Sequence, residues 1–468
     1  MSEHQPPHPH PKGMPSFWRS TPGVLDNHRS IENLPTTADI VIIGAGYSGA
    51  SIVTQLLRHP SYSVIPATPS RSHRFLSLNL DNSAQGPPDA MILGGHLKPD
   101  SYAFIAKLAQ EYGLKAAAEV ADFESANAAA VTEFIRQEKI DCDFVVTRAI
   151  DVQLSEGQHR RLREGYENLV EAGVQSTRAT FCAPEQYAER LSGVKGAKGM
   201  FSYTAGHVWP YKLIHHLFAD AIGQGVNVQT NTSATSISRR QKQGEAWVIE
   251  TPRGKVHAKQ VIMATNTYTG SLLPEYADKI IPYRGAVAHI KTPGTAPFPP
   301  NTYSLRFADW DFDYLIPRSD GSIIVGGARQ AYLGDKKQWY ANVDDGHVIE
   351  ETRKYFDGYM QRHFIGWEDS EAYVAELWTG IMGYSSDRLP RVGPIPKRQG
   401  MYIMAGFTGH GMPQVFLCAK GIADMVLDGA SFGNSGLPSL FEETQTKLSD
   451  PRNMVKEIYN SAFPQAKL

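Results

Sequence analysis

The first strong pattern in the chain is the apolar run Asp39-Ile40-Val41-Ile42-Ile43, of the kind a strand buried on both faces requires. Ala50 to Arg58 then reads as a helix, with Ile52, Val53, Leu56 and Leu57 on one side, and Pro60 ends it. Tyr62-Ser63-Val64-Ile65 reads as the start of a second strand, cut short by Pro66 and Pro69. Ser125 to Lys139 has helical spacing, with Ser125 as N-cap and Val131, Phe134 and Ile135 on one face. A helix opens at Pro210-Tyr211 and runs toward Gly225. Val261-Ile262-Met263-Ala264 reads as a strand ending in the small-residue turn Thr265-Asn266. Leu305-Arg306-Phe307, Tyr314-Leu315-Ile316 and Ser322-Ile323-Ile324-Val325 read as strands with turns at Pro317 and Asp320-Gly321. Met401 to Ala405 reads as a strand, followed by a glycine-rich turn and a helix from Gln414 to Leu427. The fold class is mixed α/β (α+β).

Gly44-Ala45-Gly46-Tyr47-Ser48-Gly49 joins the first strand directly to the first helix. In such a loop the first glycine permits the tight turn, the second lets the backbone approach a pyrophosphate, and the third brings helix close to strand. The helix N-terminus adds free N–H groups and a positive dipole end. A lone pattern of this type is weak evidence, but its position between strand and helix predicts a dinucleotide site. An acidic residue for a ribose is expected about 20 residues further on. None follows until Asp81.

The 468 residues suffice for two or three domains, and 41% hydrophobic with 20% charged residues fits a globular chain. A net charge of −2 argues against nucleic-acid or membrane-surface binding driven by bulk charge. No apolar run reaches the roughly 18 residues of a spanning helix. The three cysteines, Cys142, Cys182 and Cys418, have no metal-ligand spacing and read as buried thiols, so no metal is expected. The Pro- and His-rich start lacks an apolar signal core and reads as a disordered or extended arm over residues 1–35. Ala466-Lys467-Leu468 differs in one residue from the Ser-Lys-Leu address, which points to the peroxisome and its import receptor, and otherwise to the cytoplasm.

Seven further motifs follow in order: Gly94-Gly95-His96-Leu97-Lys98-Pro99-Asp100, Gly206-His207-Val208-Trp209-Pro210-Tyr211, Val261 to Asn266, Pro282-Tyr283-Arg284-Gly285, Trp378-Thr379-Gly380-Ile381-Met382-Gly383-Tyr384, Leu389-Pro390-Arg391-Val392-Gly393-Pro394, and Ala405-Gly406-Phe407-Thr408-Gly409-His410-Gly411-Met412-Pro413. Together they resemble the FAD-dependent D-amino acid oxidase/glycine oxidase-like superfamily, closest to its fungal branch and to gamma-glutamylputrescine oxidase-like proteins. The resemblance implies a Rossmann-like FAD-binding domain assembled from residues 36–100, 200–270 and 376–430. A β-sheet-based substrate domain would take 101–199 and 271–375, and 431–468 would be an extension. It implies FAD contacts at the glycine loop, at Gly94, Gly95 and His96, at Ala234, at Ala264, Thr265 and Asn266, at Gly380, and at Thr408, Gly409, His410, Gly411 and Met412. It implies oxidation of an amine or amino acid to an imine by hydride transfer to flavin, with molecular oxygen as a candidate acceptor and a tailoring step in fungal secondary metabolism as a setting. His96 and His410 are candidate catalytic groups. Arg284 is a candidate for holding a substrate carboxylate, and Trp310, Tyr314 and Tyr384 for an aromatic pocket around an amine.

The chain departs from the family pattern between Pro66 and Leu93, where relatives carry Glu-Ala-Arg and a flavin-touching loop. The loss and recovery are abrupt, as a shifted reading frame would make them. Three readings therefore stand: an FAD-dependent amine oxidoreductase, an FAD-type fold that has lost its cofactor and binds without catalysis, and an NAD-dependent dehydrogenase.

Overall fold

A computed structural model describes residues 7–10, 12–21, 23–63, 75–79, 94–239, 247–294 and 296–462. The ends of the interval that departs from the family pattern, Asp81 and the C-terminal tripeptide lie outside the described residues. No described helix is long and apolar enough to cross a membrane.

The first sheet is centred on the Thr37–Ile43 strand. It pairs in parallel with Gly254–Met263 on one side and Phe75–Asn79 on the other. Met401–Ala405 and Asn227–Ser233 extend it in parallel at either side. A parallel sheet must be covered on both faces. Ile40 and Ile42 point toward helices Tyr47–Arg58, Pro210–Gly223 and Val415–Asp428, while Val41 and Ile43 join a second core with Val261, Met263 and Ile403.

Two sequence expectations need correction here. The second strand described is Phe75–Asn79, and Tyr62 does not start one, because Pro60–Ser63 forms a helical turn and the buried side chains of Phe75, Leu76 and Leu78 fill the sheet; Val64 and Ile65 lie outside the described residues. Tyr62 instead packs its ring 5.2 Å from that of Phe75. The strand lies within the stretch that departs from the family pattern, yet it pairs in parallel with both neighbours, with a register shift against Asn227–Ser233 between Leu78 and Asn79. The second correction concerns Ser125, which is no N-cap. The helix spans Leu114–Gln137, and Ser125 Oγ donates to the carbonyl of Ala121 at 3.0 Å. Val131, Phe134 and Ile135 are buried as the spacing predicts.

The second sheet runs Tyr373–Ser385, Ile280–Lys291, Ile323–Gly327, Asp311–Pro317, Thr302–Ala308, Val145–Gln153, Gly199–His207, His96–Leu97 in spatial order. Strand alternation sorts its side chains. The pairings Tyr283 with Met382, Val287 with Gly326, Gly326 with Tyr314 and Tyr314 with Ser304 put these residues on one face. Tyr203, Tyr384 and His96 share that face, called below the tyrosine face. The opposite face carries Leu305, Leu315 and Val325 into a core closed by Phe356, Tyr359 and Trp339.

The N-terminal arm is packed where it is described. Phe17 and Trp18 are buried, and the arm lies along the edge strand Asn227–Ser233 through Ser30 N–H to Val228 O (3.0 Å) and Thr230 N–H to His28 O (3.0 Å). Covering an edge strand in this way blocks sheet-to-sheet association. Asp26 pins the arm to the Pro210–Gly223 helix by accepting from Tyr211 Oη (2.6 Å) and from His215 Nε2 (3.1 Å).

Candidate functional site

The glycine loop is tight because two backbones meet in it. Gly44 has φ 123°, and a Cβ there would lie 2.3 Å from the carbonyl oxygen of Ala264. A Cβ on Gly49 would lie 1.9 Å from the carbonyl oxygen of Gly44, so helix and strand approach as only glycine permits. Gly46 caps the helix without a side-chain bond, and the first-turn N–H groups have no partners within the helix. Ala45 and Tyr47 are buried, while Gly46 and Ser48 are half-buried at the mouth of the loop.

The neighbouring strand ends are tied together. Ala264 and Thr265 are buried, and Asn266 sits at φ 41° with Oδ1 accepting from Gly406 N–H at 3.0 Å. That bond links the ends of Gly254–Met263 and Met401–Ala405. Ala234 is buried just past the end of Asn227–Ser233, and Gly380 is buried within Tyr373–Ser385 opposite Gly285.

The loop Thr408–Met412 reaches across to the second sheet. Thr408, at φ 55°, donates its N–H to Gly383 O at 2.9 Å and accepts from Ser385 N–H at 3.2 Å. A Cβ on Gly409 would stand 3.0 Å from Met382 Sδ and 3.4 Å from Tyr384 Oη, on the tyrosine face. Beyond it, His410 Nε2 bonds Glu124 Oε2 at 2.9 Å. Glu124 is fully buried and also accepts from Gln414 Nε2 (2.7 Å) and Asp100 N–H (2.7 Å). Asn127, one turn along the same helix, donates to Met412 O (3.2 Å) and accepts from Leu417 N–H (2.8 Å). Burial works against protonation of His410, but the charge and hydrogen bond of Glu124 outweigh it and raise its pKa. His410, a candidate catalytic group, thereby ties the loop to the Leu114–Gln137 helix.

Gly94 and Gly95 are threaded between two walls. A Cβ on Gly94 would lie 2.8 Å from the Tyr314 ring, and one on Gly95 would lie 1.8 Å from Val208 O. His96 Nε2 bonds Thr302 Oγ1, whose own hydrogen goes to Leu315 O (2.7 Å). The imidazole must therefore carry its proton on Nε2 and donate it. Burial first, then the charges of Lys98 and His207, hold its pKa well below the ordinary value. His96 is a neutral donor to Thr302 beside Tyr314, its ring centroid 5.5 Å away.

Arg284 does not join this group. It sits on the face of Ile280–Lys291 opposite Tyr283, and its Nη2 bonds the carbonyl of His347. A guanidinium at the tyrosine face that bonds Tyr384 is that of Arg329, which was not among the residues expected from the sequence. Its Nη2 donates to Tyr384 Oη at 3.0 Å and its Nη1 to Trp310 O at 2.9 Å. It lies 4.7 Å from the Phe312 ring centroid and 5.6 Å from that of Tyr283, which stacks on Tyr384 at 4.3 Å. The one available signal was Gly326-Gly327-Ala328 ahead of Arg329, a turn with φ 138° at Gly327 and φ 57° at Ala328.

That turn rests on Asp313, from the strand that carries Tyr314. Asp313 Oδ1 accepts from Ala328 N–H (2.7 Å), and Oδ2 accepts from Tyr355 Oη (2.7 Å) and Tyr359 Oη (3.0 Å). Burial, opposed by these hydrogen bonds and helped by Asp311, pushes its pKa from 3.8 up to about 7. From 3.8 to about 7 the folded state holds a proton that the unfolded state has lost, so this group makes stability fall as pH rises through that window. Asp313→Asn is expected to flatten the fall, measured as the urea midpoint across the same pH range.

Among the described residues no cluster of His, Cys, Asp and Glu is arranged to hold a metal ion. A parallel sheet with an uncapped, glycine-lined helix N-terminus, facing a second sheet across the Gly94–His96 and Thr408–Met412 loops, defines a dinucleotide-dependent enzyme of the flavoprotein class. The uncapped first-turn N–H groups of the Tyr47–Arg58 helix, brought close to the strand end by Gly44 and Gly49, fit the pyrophosphate of FAD. The chain belongs to the DAO family of FAD-dependent oxidoreductases, which it matches over residues 39–425. It is 25% identical over 394 residues to a probable oxidoreductase OrdL of Rhizobium meliloti, covering 83% of each chain. It is 23% identical to the gamma-glutamylputrescine oxidoreductase of Escherichia coli, covering 84% of each. Glycine oxidase from Geobacillus kaustophilus shares the fold, with a TM-score of 0.67 at 17% identity over 88% of this chain and 99% of that one. So does an L-amino acid deaminase from Proteus vulgaris, with a TM-score of 0.65 at 17% identity over 92% of this chain and 100% of that one. The protein is an FAD-dependent oxidoreductase of the amine and amino-acid oxidase type.

Proposed function

We propose that the chain oxidises the C–N bond of an amine or amino-acid-like substrate held against the tyrosine face. One observation carries this reading. Gly94 lies against the Tyr314 ring, and on the same face Arg329, Tyr283, Tyr384 and Gly409 form a chain of contacts that reaches the loop leaving the first sheet. FAD, when bound, supplies the acceptor for a hydride leaving the carbon beside nitrogen. The helix N-terminus at Gly46 to Gly49 would hold its pyrophosphate, and the backbone of Gly94, Gly95 and Thr408 to Met412 would pack against its ring system. Tyr283, Tyr314 and Tyr384 supply aromatic walls that exclude water. Arg329 keeps unused N–H donors beside Tyr384, as recognition of an acidic substrate group requires.

The test begins with purified protein and added FAD. A yellow, stoichiometric complex is expected, followed by bleaching on anaerobic addition of amines or amino acids and release of peroxide in air. Protein that stays colourless with excess FAD would overturn the reading in favour of a fold without its cofactor. Arg329→Met is expected to lower kcat/KM about tenfold to a hundredfold for substrates with an acidic group, the loss of one charge-assisted bond. Steady-state kinetics with matched acidic and neutral amines checks it.

A further inference from the structure

Two guanidinium groups near the tyrosine face form no ion pair with a described carboxylate. Arg329 is one. Arg388 is the other, in the turn that follows the Tyr373–Ser385 strand, held at φ 66°. Its guanidinium stacks 5.1 Å over the Phe104 ring and makes no hydrogen bond or ion pair among the described residues. Tyr384 accepts from Arg329 and lies near the end of the strand, four residues ahead of Arg388, whose own N–H turns back to Ser385 O at 2.9 Å.

The acidic side chains around them are already engaged. Asp387 accepts from Ser385 Oγ and Leu389 N–H and faces Lys447, while Glu111 pairs with Arg452 at 3.0 Å. Asp309 pairs with Arg161 at 3.0 Å, and Asp100 caps the amides of Tyr102 and Phe104. Asp311 forms no ion pair with Arg329; burial raises its pKa, opposed by a hydrogen bond from Gln330 and by the Arg329 charge. The contrast is Arg306, also on the tyrosine face, which Asp151 neutralises with two bonds of 2.7 and 2.9 Å. Burial chiefly lowers the Arg388 pKa, the Arg329 charge adds to it, and Tyr384, Glu111 and Asp100 act against it from a distance.

Donor arithmetic sets the kind of ligand. A guanidinium offers five N–H donors and a carboxylate about four acceptor sites. Arg329 spends two donors on Trp310 and Tyr384, and Arg388 spends none on described residues. One carboxylate would leave about half of the remaining donors unmet; two would match them. We propose that Arg329 and Arg388 form a two-point anion site, and that the substrate is an amine bearing two carboxylates, one for each guanidinium. This rests on the reading of the tyrosine face as the substrate face.

Glutarate and valerate, equal in length and inert to C–N oxidation, are the probes. Each is titrated into the FAD-loaded protein by flavin absorbance and into flavin-free protein by thermal unfolding. Glutarate is expected to bind about tenfold to a hundredfold more tightly than valerate. Arg388→Gln should remove that preference and leave valerate binding unchanged, Arg388→Lys should retain part of it, and Arg329→Gln should weaken both ligands. Equal binding of the two acids to the unaltered protein, or a preference that survives Arg388→Gln, overturns the proposal. Failure to bind FAD would sink the enzymatic reading alone, because thermal unfolding still reports the anion site.

Discussion

Gly49→Val protein is expected to purify without flavin and to stay colourless when FAD is added. The new Cβ would stand 1.9 Å from the carbonyl oxygen of Gly44, a backbone atom that cannot swing aside as a flexible side chain could. Gly44 itself is locked, with its N–H on Leu78 O at 2.8 Å and its Cα facing the Ala264 carbonyl. The helix Tyr47–Arg58 must therefore lift from the sheet, which costs about 1–3 kcal/mol in overpacking. The lift also carries the uncapped N–H groups away from where a pyrophosphate would sit. FAD affinity is expected to fall at least about a hundredfold, since several charge-assisted bonds of about 1.5–3 kcal/mol each are lost together. Fluorescence titration with FAD measures this, and far-ultraviolet circular dichroism separates lost binding from lost folding. Folded variant protein that binds FAD as tightly as the original would remove the glycine loop from the cofactor site.

Glu124→Leu is expected to be the most destabilising single change at the site. Glu124 is fully buried and receives three hydrogen bonds, from His410, Gln414 and the Asp100 amide. Leucine leaves all three donors without an acceptor, a loss of about 3–5 kcal/mol for a broken buried charge pair. The Thr408–Met412 loop loses its strut, so FAD affinity falls along with the unfolding midpoint. Glu124→Gln keeps the shape and isolates the charge. His410 has its pKa raised in the folded state by Glu124 against the effect of burial. Its contribution to stability is thus complete below the unfolded histidine value of about 6.5 and is lost as pH rises through the raised folded value. Urea midpoints on either side of that window should differ in the original protein and converge in Glu124→Gln. A pH profile identical in both would assign His410 no part in the coupling.

The parts of the site that were legible in the sequence are local. Gly44 to Gly49 could be read because strand, turn and helix follow one another within about twenty residues, each step governed by backbone sterics. The Val415–Asp428 helix and the Ile323–Gly327 strand were legible for the same reason. The second strand was not. Phe75–Asn79 is short and has little periodicity of its own, and it becomes a strand by filling the gap between Thr37–Ile43 and Asn227–Ser233. Ser125 looked like a cap because nothing local reveals that a helix has already run eleven residues from Leu114.

Arg284 and Arg329 mark the same boundary. Both follow apolar strand segments and both could hold an acid by chemistry alone. Strand parity turns Arg284 away toward His347, and the turn held by Asp313 brings Arg329 to Tyr384. By itself the sequence determined a dinucleotide loop, a mixed α/β chain and an FAD-dependent family, because backbone geometry and the order of motifs are written along the chain. Only the tertiary structure decided which charges are paired and which stay open, since that depends on which faces of distant strands meet, as Arg306 pairs with Asp151 and Arg388 forms no ion pair with a described carboxylate.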